Sequence, residues 1–573
     1  MNNKKIEAGD YTYNKFIEKG TDIHLVPSLQ RPYTWSTKEV NKFINDVITN
    51  ETGYYIGSIV MVSSEGSTKR DEIIDGQQRL TTISLILVAI RKSLVKNNIN
   101  DTETQNSILN LLVKPQHNSD GLIRLMFTNE NSQSIYESIV LDKPFVSAKT
   151  DVQKKFEENL NTISDVIEKN VLKNKKFIKE FIEKILNLEL IFITCSNKSS
   201  AYILFESINA TGISLASTDL IKNSILQKVA NSSELLSKSE EKWLELEKIF
   251  DEDASEIKTF LRHEWISRGK YTSHTKIFDD FKDHFSESKP EVIYDYLVEL
   301  VDSAQIYSSI RHASTEYLYD KNEKRFNVAE VKQSLEFLSF LGVDQVYSVL
   351  LFVYKNDNKN FRKELNKFVA FQFLYKYLPG SPSVVEKKFA NFCAKKDKNK
   401  IHTELLKLCE NKAEDFVEIF MEKIKYKKGK SGDIQFLLEK ISQIKDGGLF
   451  EKPTLEHIIS QNPKQREESL EKVTVNDYRI LVNSFGNLTI VERDDNSSED
   501  ILGNKNFSDK KEYFMNTGKV SHKEISDYNF DKLPKLAIKN RGDNLANEVY
   551  ELFIEALRSG SFKSKKGDDD GEI

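Results

Sequence analysis

Two stretches of this 573-residue chain hold residue types that do chemistry together. In the first, Ile73-Ile74 runs into Asp75-Gly76-Gln77-Gln78-Arg79-Leu80-Thr81-Thr82, which reads as a strand, a glycine turn and an apolar helix. A glycine lets a ligand approach the backbone, the first helical N–H groups have no internal partner, and the helix dipole favours an anion at that end. Arg79 adds a forked charged donor, Gln77, Gln78, Thr81 and Thr82 add neutral ones, and Asp75 is a carboxylate able to orient a metal or a water. The chemistry indicated is phosphate binding.

The second stretch lies far downstream, where Glu456-His457 sets a carboxylate beside an imidazole. A one-metal nuclease needs a base to deprotonate water and hard oxygen ligands for a divalent cation. Adjacent side chains on a strand face opposite ways, so the pair serves one site only if the backbone bends after it. Pro453 ahead of it and Ser460-Gln461-Asn462-Pro463 behind it permit such a bend. Phe485-Gly486-Asn487-Leu488-Thr489-Ile490-Val491 then reads as a turn and a strand, and Asn496 lies in a polar segment that begins a helix.

The elements that must position these residues follow from periodicity. Strands are expected over Tyr54 to Val62, Glu72 to Ile74 and Leu188 to Thr194, with helix from Thr150 to Asn187. The apolar run Ile83 to Ile90 is far shorter than the roughly 20 residues of a membrane span and reads as a buried helix. After Phe205-Glu206-Ser207-Ile208-Asn209-Ala210-Thr211-Gly212, a helix ending at glycine, Ser217 or Thr218 is an N-cap for the next. Residues 230–425 are helix-patterned without a repeat, and Lys425 to Asp433 is a charged break and a candidate hinge. Its Gly429-Lys430-Ser431 is no Walker A loop, because Ile424 stands where the first glycine belongs.

Composition narrows the function classes. A hydrophobic share of 39% and a charged share of 30% describe a globular chain in which helix outweighs strand, and 573 residues exceed one hydrophobic core. With 83 basic and 88 acidic residues the net charge is −5, so any nucleic-acid surface is local rather than global. Cys195, Cys393 and Cys409 are few, odd in number and far apart, which argues against a disulfide framework and for a reducing cytoplasm. No apolar signal core follows Met1-Asn2-Asn3-Lys4-Lys5, and neither secretion nor a membrane partner is expected. His263-Glu264-Trp265-Ile266-Ser267 lacks the second histidine of a zinc-protease helix.

Taken in order, Pro27-x-x-Gln30-Arg31-x-Tyr33-x-Trp35, Tyr55-Ile56-Gly57-Ser58-Ile59, Asp75 to Thr82, and Phe205-Glu206-x-x-Asn209-x-x-Gly212 with Asp219-Leu220-Ile221-Lys222-Asn223 resemble the N-terminal half of GmrSD-type restriction enzymes. That half is similar in fold to ParB and sulfiredoxin, with Gly76-x-x-Arg79 at the phosphate-binding position. The stretch from Leu455 to about Tyr513 resembles the C-terminal domain of the same enzymes, an HNH or His-Me finger nuclease.

The resemblance implies a nucleoside-triphosphate site at Gln30, Arg31, Asp75, Gly76, Gln77, Gln78, Arg79, Thr81, Asn209, Asp219 and Lys222, with Asp75 also catalytic in triphosphate hydrolysis. It implies His457 as general base, Asn487 as the residue that positions it, and Glu456 and Asn496 as ligands of a divalent metal such as magnesium, with Asn504 a rival for Asn496. Lys510 or Lys511 would meet the DNA backbone. Ser460 departs from the family's proline, and Glu456 from the more general aspartate.

The expected architecture is α+β and predominantly helical: a ParB-like nucleotide-binding domain over 1–230, a helical connector over 231–430, a ββα-metal nuclease domain over 431–558 and a disordered tail over 559–573. The expected activity is a type IV-like, modification-dependent endonuclease cutting double-stranded phage DNA under triphosphate control in anti-phage defence, since an ungated nuclease would damage its host. A homodimer is left open. The alternative is a nucleotide-dependent DNA-binding switch with an inactive HNH domain.

Overall fold

The computed structural model describes residues 6–18, 23–27, 29–30, 32–63, 70–97, 101–116, 119–144, 150–174, 176–209, 217–251, 253–314, 316–318, 328–448, 450–462, 470, 473–498, 501–503 and 505–562. Arg31 and Asn504 lie outside the described residues, as do residues 210–216 and the residues from Lys563 onward. Helix dominates, with a small amount of sheet, and the class is α+β. Two compact units emerge, Met1–Asp251 with Phe278–Val301, and Glu252–Ile277 with Asp302–Ile573. Residues 231–430, expected as one connector, are divided between them.

The first unit is built on ten-residue-or-shorter strands: β1 (Ile6–Thr12), β2 (Ile23–Val26), β3 (Tyr55–Ser63), β4 (Arg70–Asp75), β5 (Val113–Gln116), β6 (Ser119–Ile123), β7 (Leu125–Phe127) and β8 (Glu189–Cys195). Six of them form one mixed sheet in the order β1-β8-β3-β4-β2-β7, and β5 pairs with β6 apart from it. The helix Gln77–Lys96 follows β4 directly, and every residue from Leu80 to Ile90 is buried. A helix apolar all round belongs inside a core, which explains a stretch with no amphipathic stripe. Among the described residues no helix is long and apolar enough to cross a membrane.

In the second unit a helical array is held together by aromatic packing, with the Phe373 ring 4.1 Å from Phe553 and the Phe337 ring 4.0 Å from Phe436. Two strands, β9 (Pro453–His457) and β10 (Leu488–Glu492), form an antiparallel pair with His457 opposite Leu488 and Glu456 opposite Thr489. The short helix Arg493–Ser497 follows β10, and Phe507–Asn516 comes after it. The long helix Pro534–Ser559 packs under the turn before β10, where Gly486 is required because a Cβ there would overlap the Ile538 carbonyl oxygen. Phe562, inside the segment expected as tail, is buried with its ring 5.1 Å from Phe553.

Candidate functional site

At the first site the chain leaves β4 through Gly76 in the left-handed region, with φ of 98°, a conformation that only glycine adopts without strain. Gly76 caps the helix Gln77–Lys96 without a side chain, so the N–H groups of Gln77, Gln78 and Arg79 have no helical carbonyl to meet. Arg79 folds back across β3: its Nη1 donates to the Ile56 carbonyl at 2.7 Å and its Nη2 lies 3.3 Å from the Asp75 carboxylate. Gly57, at φ of 101°, makes room for that guanidinium, which a Cβ would overlap.

Several side chains expected on a ligand have protein partners instead. Gln78 accepts from the Thr34 N–H at 2.9 Å and donates to the Pro32 carbonyl at 2.8 Å, which latches the loop carrying Tyr33 and Trp35 onto the helix. Tyr33 is buried with its hydroxyl 2.8 Å from that of Thr82, and Thr81 donates to the Gln77 carbonyl at 2.7 Å. Lys222, on the helix Ser217–Val229, donates to the Leu29 carbonyl and sits 2.8 Å from Glu247. These side chains shape the loop around the turn, because a buried donor takes whatever acceptor the fold supplies. Asp219 is buried on the same helix, Gln30 is half-buried with its N–H on the Pro27 carbonyl, and Gln77 is buried. Asn209 ends the helix Lys198–Asn209, and Ser217 opens the next helix rather than capping it from outside.

At the second site the strand ends at His457 and the chain bends over Ile458 and Ile459. Asn487 fixes that bend. Its main-chain carbonyl accepts from Ile458 N–H at 2.8 Å, its Oδ1 accepts from Ile459 N–H at 2.8 Å, and its Nδ2 donates to the carbonyls of Ile459 and Val482 at 2.9 and 2.8 Å. Asn487 is fully buried, and it acts on the histidine through the backbone rather than through the ring. Ser460 takes over the stiffening work of the missing proline: its hydroxyl donates to the Lys505 carbonyl and its carbonyl accepts from Tyr478 at 2.8 Å. Arg541 braces the preceding turn from the long helix, donating to the carbonyls of Gly486 and Leu488 at 2.8 Å each.

The His457 ring is buried, and its Nε2 has no hydrogen-bond partner among the described residues. Burial holds the imidazole down at about 4 against the contribution of the Asn483 side chain, which favours the charged form, and the Lys510 ammonium adds to the depression. At neutral pH the ring is therefore uncharged and able to accept a proton. Tyr426 lies edge-on to it, with ring centres 4.7 Å apart.

Lys510, expected on the DNA backbone, is fully buried; its Nζ bonds the Glu456 carboxylate and the His457 carbonyl, the latter at 2.8 Å. Burial pushes the Glu456 carboxyl up while the ammonium beside it pulls it down. Lys511 is half-exposed and lies 3.0 Å from Asp531. Asn496 ties the helix after β10 to β9 by donating to the Leu455 carbonyl at 2.9 Å.

Residues 13–226 match the GmrSD restriction endonuclease N-terminal domain, and residues 409–548 match the GmrSD restriction endonuclease C-terminal domain. Together the two cover more than half of the sequence, in the family's order. The chain belongs to the GmrSD restriction endonuclease family. No curated protein matches it. A GmrSD enzyme is a restriction endonuclease, so this chain is a nuclease with DNA as its substrate.

Does this GmrSD chain have donors for a divalent cation? Among the described residues no three of His, Cys, Asp and Glu converge on one point. Magnesium asks for less, being held by one or two carboxylates with water and substrate phosphate completing the shell. The oxygens that would meet such a cation are the Glu456 carboxylate, one of whose oxygens bonds Lys510, and the Asn496 amide oxygen, whose Nδ2 is on the Leu455 carbonyl, which leaves the orphaned His457 nitrogen for proton transfer rather than for the metal. Sequence reasoning missed the roles of Tyr426, Asn483 and Arg541 in this GmrSD site. A glycine inside a long helix, Gly542, was a readable signal for the last, since such a residue costs about 1 kcal/mol against alanine and marks a close approach.

Proposed function

We propose that the chain is a metal-dependent HNH-type DNA endonuclease whose cleavage is gated by a nucleoside triphosphate held at Gly76. One observation carries the nuclease chemistry: a buried, uncharged His457 whose Nε2 faces no protein partner among the described residues, at the end of a strand whose exit is fixed by Asn487. In this reading Nε2 takes a proton from water, the resulting hydroxide attacks phosphorus, and the bond to the sugar oxygen breaks, that oxygen leaving with the electron pair and taking a proton from water. Glu456 and Asn496, or Asn504 in place of Asn496, would hold the cation, which would supply positive charge at the scissile phosphate. Lys510 sets the aim of Glu456 and of the His457 backbone.

At Gly76 the N–H groups of the helix start, which have no helical carbonyl to meet, would cradle phosphate beside the Arg79–Asp75 pair, with Gln77, Gln30, Arg31, Asp219 and Asn209 as the other residues assigned to the triphosphate. Gln78, Thr81 and Lys222 preorganise that frame. Modified phage DNA is the substrate that fits a nuclease needing such a gate, and binding of the triphosphate in the first unit would shift a two-state equilibrium toward the cutting form.

The rival reading, a nucleotide-dependent DNA-binding switch that does not cut, draws on the lysine already seated on Glu456. The test is cleavage of plain and modified phage DNAs by purified protein, with magnesium and each triphosphate in turn and with none. Cutting that needs magnesium and a triphosphate supports the proposal. DNA binding without a nick under every condition gives the rival the site.

A further inference from the structure

With Lys510 buried, the helix Phe507–Asn516 offers the phosphates that flank a cut only Lys511, itself paired to Asp531. A larger group of cations stands elsewhere. Lys425, Lys427, Lys428 and Lys430 fall within six residues of a chain whose net charge is −5. Lys427, Lys428 and Lys430 are exposed, and none of them is in an ion pair among the described residues.

This segment is neither a loose linker nor remote from the chemistry. Lys425 forms a β-bridge with Ser484, and the Tyr426 N–H donates to the Asn483 carbonyl at 3.0 Å. The Tyr426 ring meets the His457 ring edge-on, 4.7 Å between centres. Past Tyr426 the chain closes a tight turn, Lys430 N–H to Lys427 carbonyl at 2.9 Å with Gly429 at φ of 74°, and the Ser431 hydroxyl bonds both the N–H and the carbonyl of Lys427 at 2.7 and 2.9 Å. The Gln461 amide, also exposed, reaches Asn483 at 2.7 Å and adds a polar edge. The turn is thus locked in shape and tethered through one aromatic ring to the candidate general base.

We propose that the turn Lys427–Lys430 is the backbone clamp of the nuclease, gripping the phosphates next to the scissile one while Tyr426 keeps that grip in register with His457. A turn held in one shape presents its lysines to the strand as a fixed set, so that they neutralise neighbouring phosphates together. Lysine is suited to this work because phosphate contacts set position and carry no sequence information. The inference rests on the DNA-cutting reading for its purpose, but binding tests it separately.

The experiment measures duplex DNA binding by fluorescence anisotropy across a salt series, using full-length protein, its Lys427→Glu/Lys428→Glu/Lys430→Glu variant, and a control reversing Lys532, Lys535 and Lys539, which changes net charge equally. The clamp variant is expected to lose at least about ten-fold in affinity and roughly 2 to 3 in the slope of log K against log salt, each lost phosphate contact removing close to one. The control should keep the wild-type slope. Cleavage by the clamp variant should fall through KM with kcat retained at saturating DNA. A clamp variant matching wild type, or losing no more than the control, overturns the proposal and leaves the nuclease reading standing. Binding lost as expected in a protein that never cuts supports the clamp and sinks the nuclease instead, and a wild-type protein that binds no DNA sinks both.

Discussion

The two candidate sites use charge in opposite ways. At the Gly76 turn the cation, Arg79, is drawn back onto the Ile56 carbonyl and Asp75, and what remains for a ligand is the backbone at a helix start. At the hairpin the cation, Lys510, is sunk beneath the strand end on Glu456, and what remains is a side chain, the His457 imidazole. Backbone N–H groups can bind an anion but do not themselves gain or lose a proton near neutrality. A site ending in a neutral imidazole can move one. On the proposed reading the contrast separates a site whose main task is to hold a triphosphate from one whose main task is to move a proton.

The sharpest way to break that contrast is to remove the ring. His457→Ala should lower DNA cleavage by roughly 10²- to 10⁴-fold while triphosphate binding, followed with a fluorescent nucleotide analogue, stays at the wild-type level. Retained cleavage would mean that the second site is not reactive.

A step down in size concerns the buried pair. Lys510→Met strands the Glu456 carboxylate and should cost about 3 to 5 kcal/mol in urea unfolding. Adding Glu456→Gln should recover much of that loss. If the single variant is as stable as wild type, Lys510 does not position this site.

At the first site Gly57→Ala should cost about 1 to 3 kcal/mol, because a side chain at φ of 101° is strained and overlaps Arg79. Triphosphate binding should weaken with it, whereas DNA binding by the isolated-nucleotide-free protein should not. Equal losses at both sites would erase the division of labour.

The smallest effect is on pH. His24, buried and stacked on Phe16 with ring centres 4.7 Å apart, is held down at about 4 by burial, with Arg124 adding to the depression. Between that value and the unfolded imidazole near 6.5 the unfolded chain binds the extra proton, so this stabilisation is present above about 6.5 and is lost as pH falls through 4. Thermal unfolding of the wild type should drop over that window, and His24→Phe should flatten the drop. An unchanged profile would show that His24 contributes nothing to it.

Much of the local structure was legible because it depends on neighbours in sequence. The strand, glycine and helix from Arg70 to Lys96, the strand ending at Glu456-His457, and the turn and strand from Phe485 to Glu492 all stand where periodicity and turn chemistry put them. Side-chain partners were another matter. Nothing in the pattern around Gln78 announces that its amide closes on Pro32 and Thr34, and nothing around Lys425 to Lys430, which reads as a hinge, announces a turn pinned to Asn483 and Ser484.

What the amino-acid order determined alone is therefore the elements and the identity of the groups that could react, since periodicity, glycine placement and residue type act over a few residues, and its motifs carried the resemblance to the family. Only the tertiary structure decided which charges are spent. Arg79 meets an acceptor 23 residues away and Lys510 one 54 residues away, and whether a cation faces solvent or a carboxylate depends on desolvation and on the approach of distant segments.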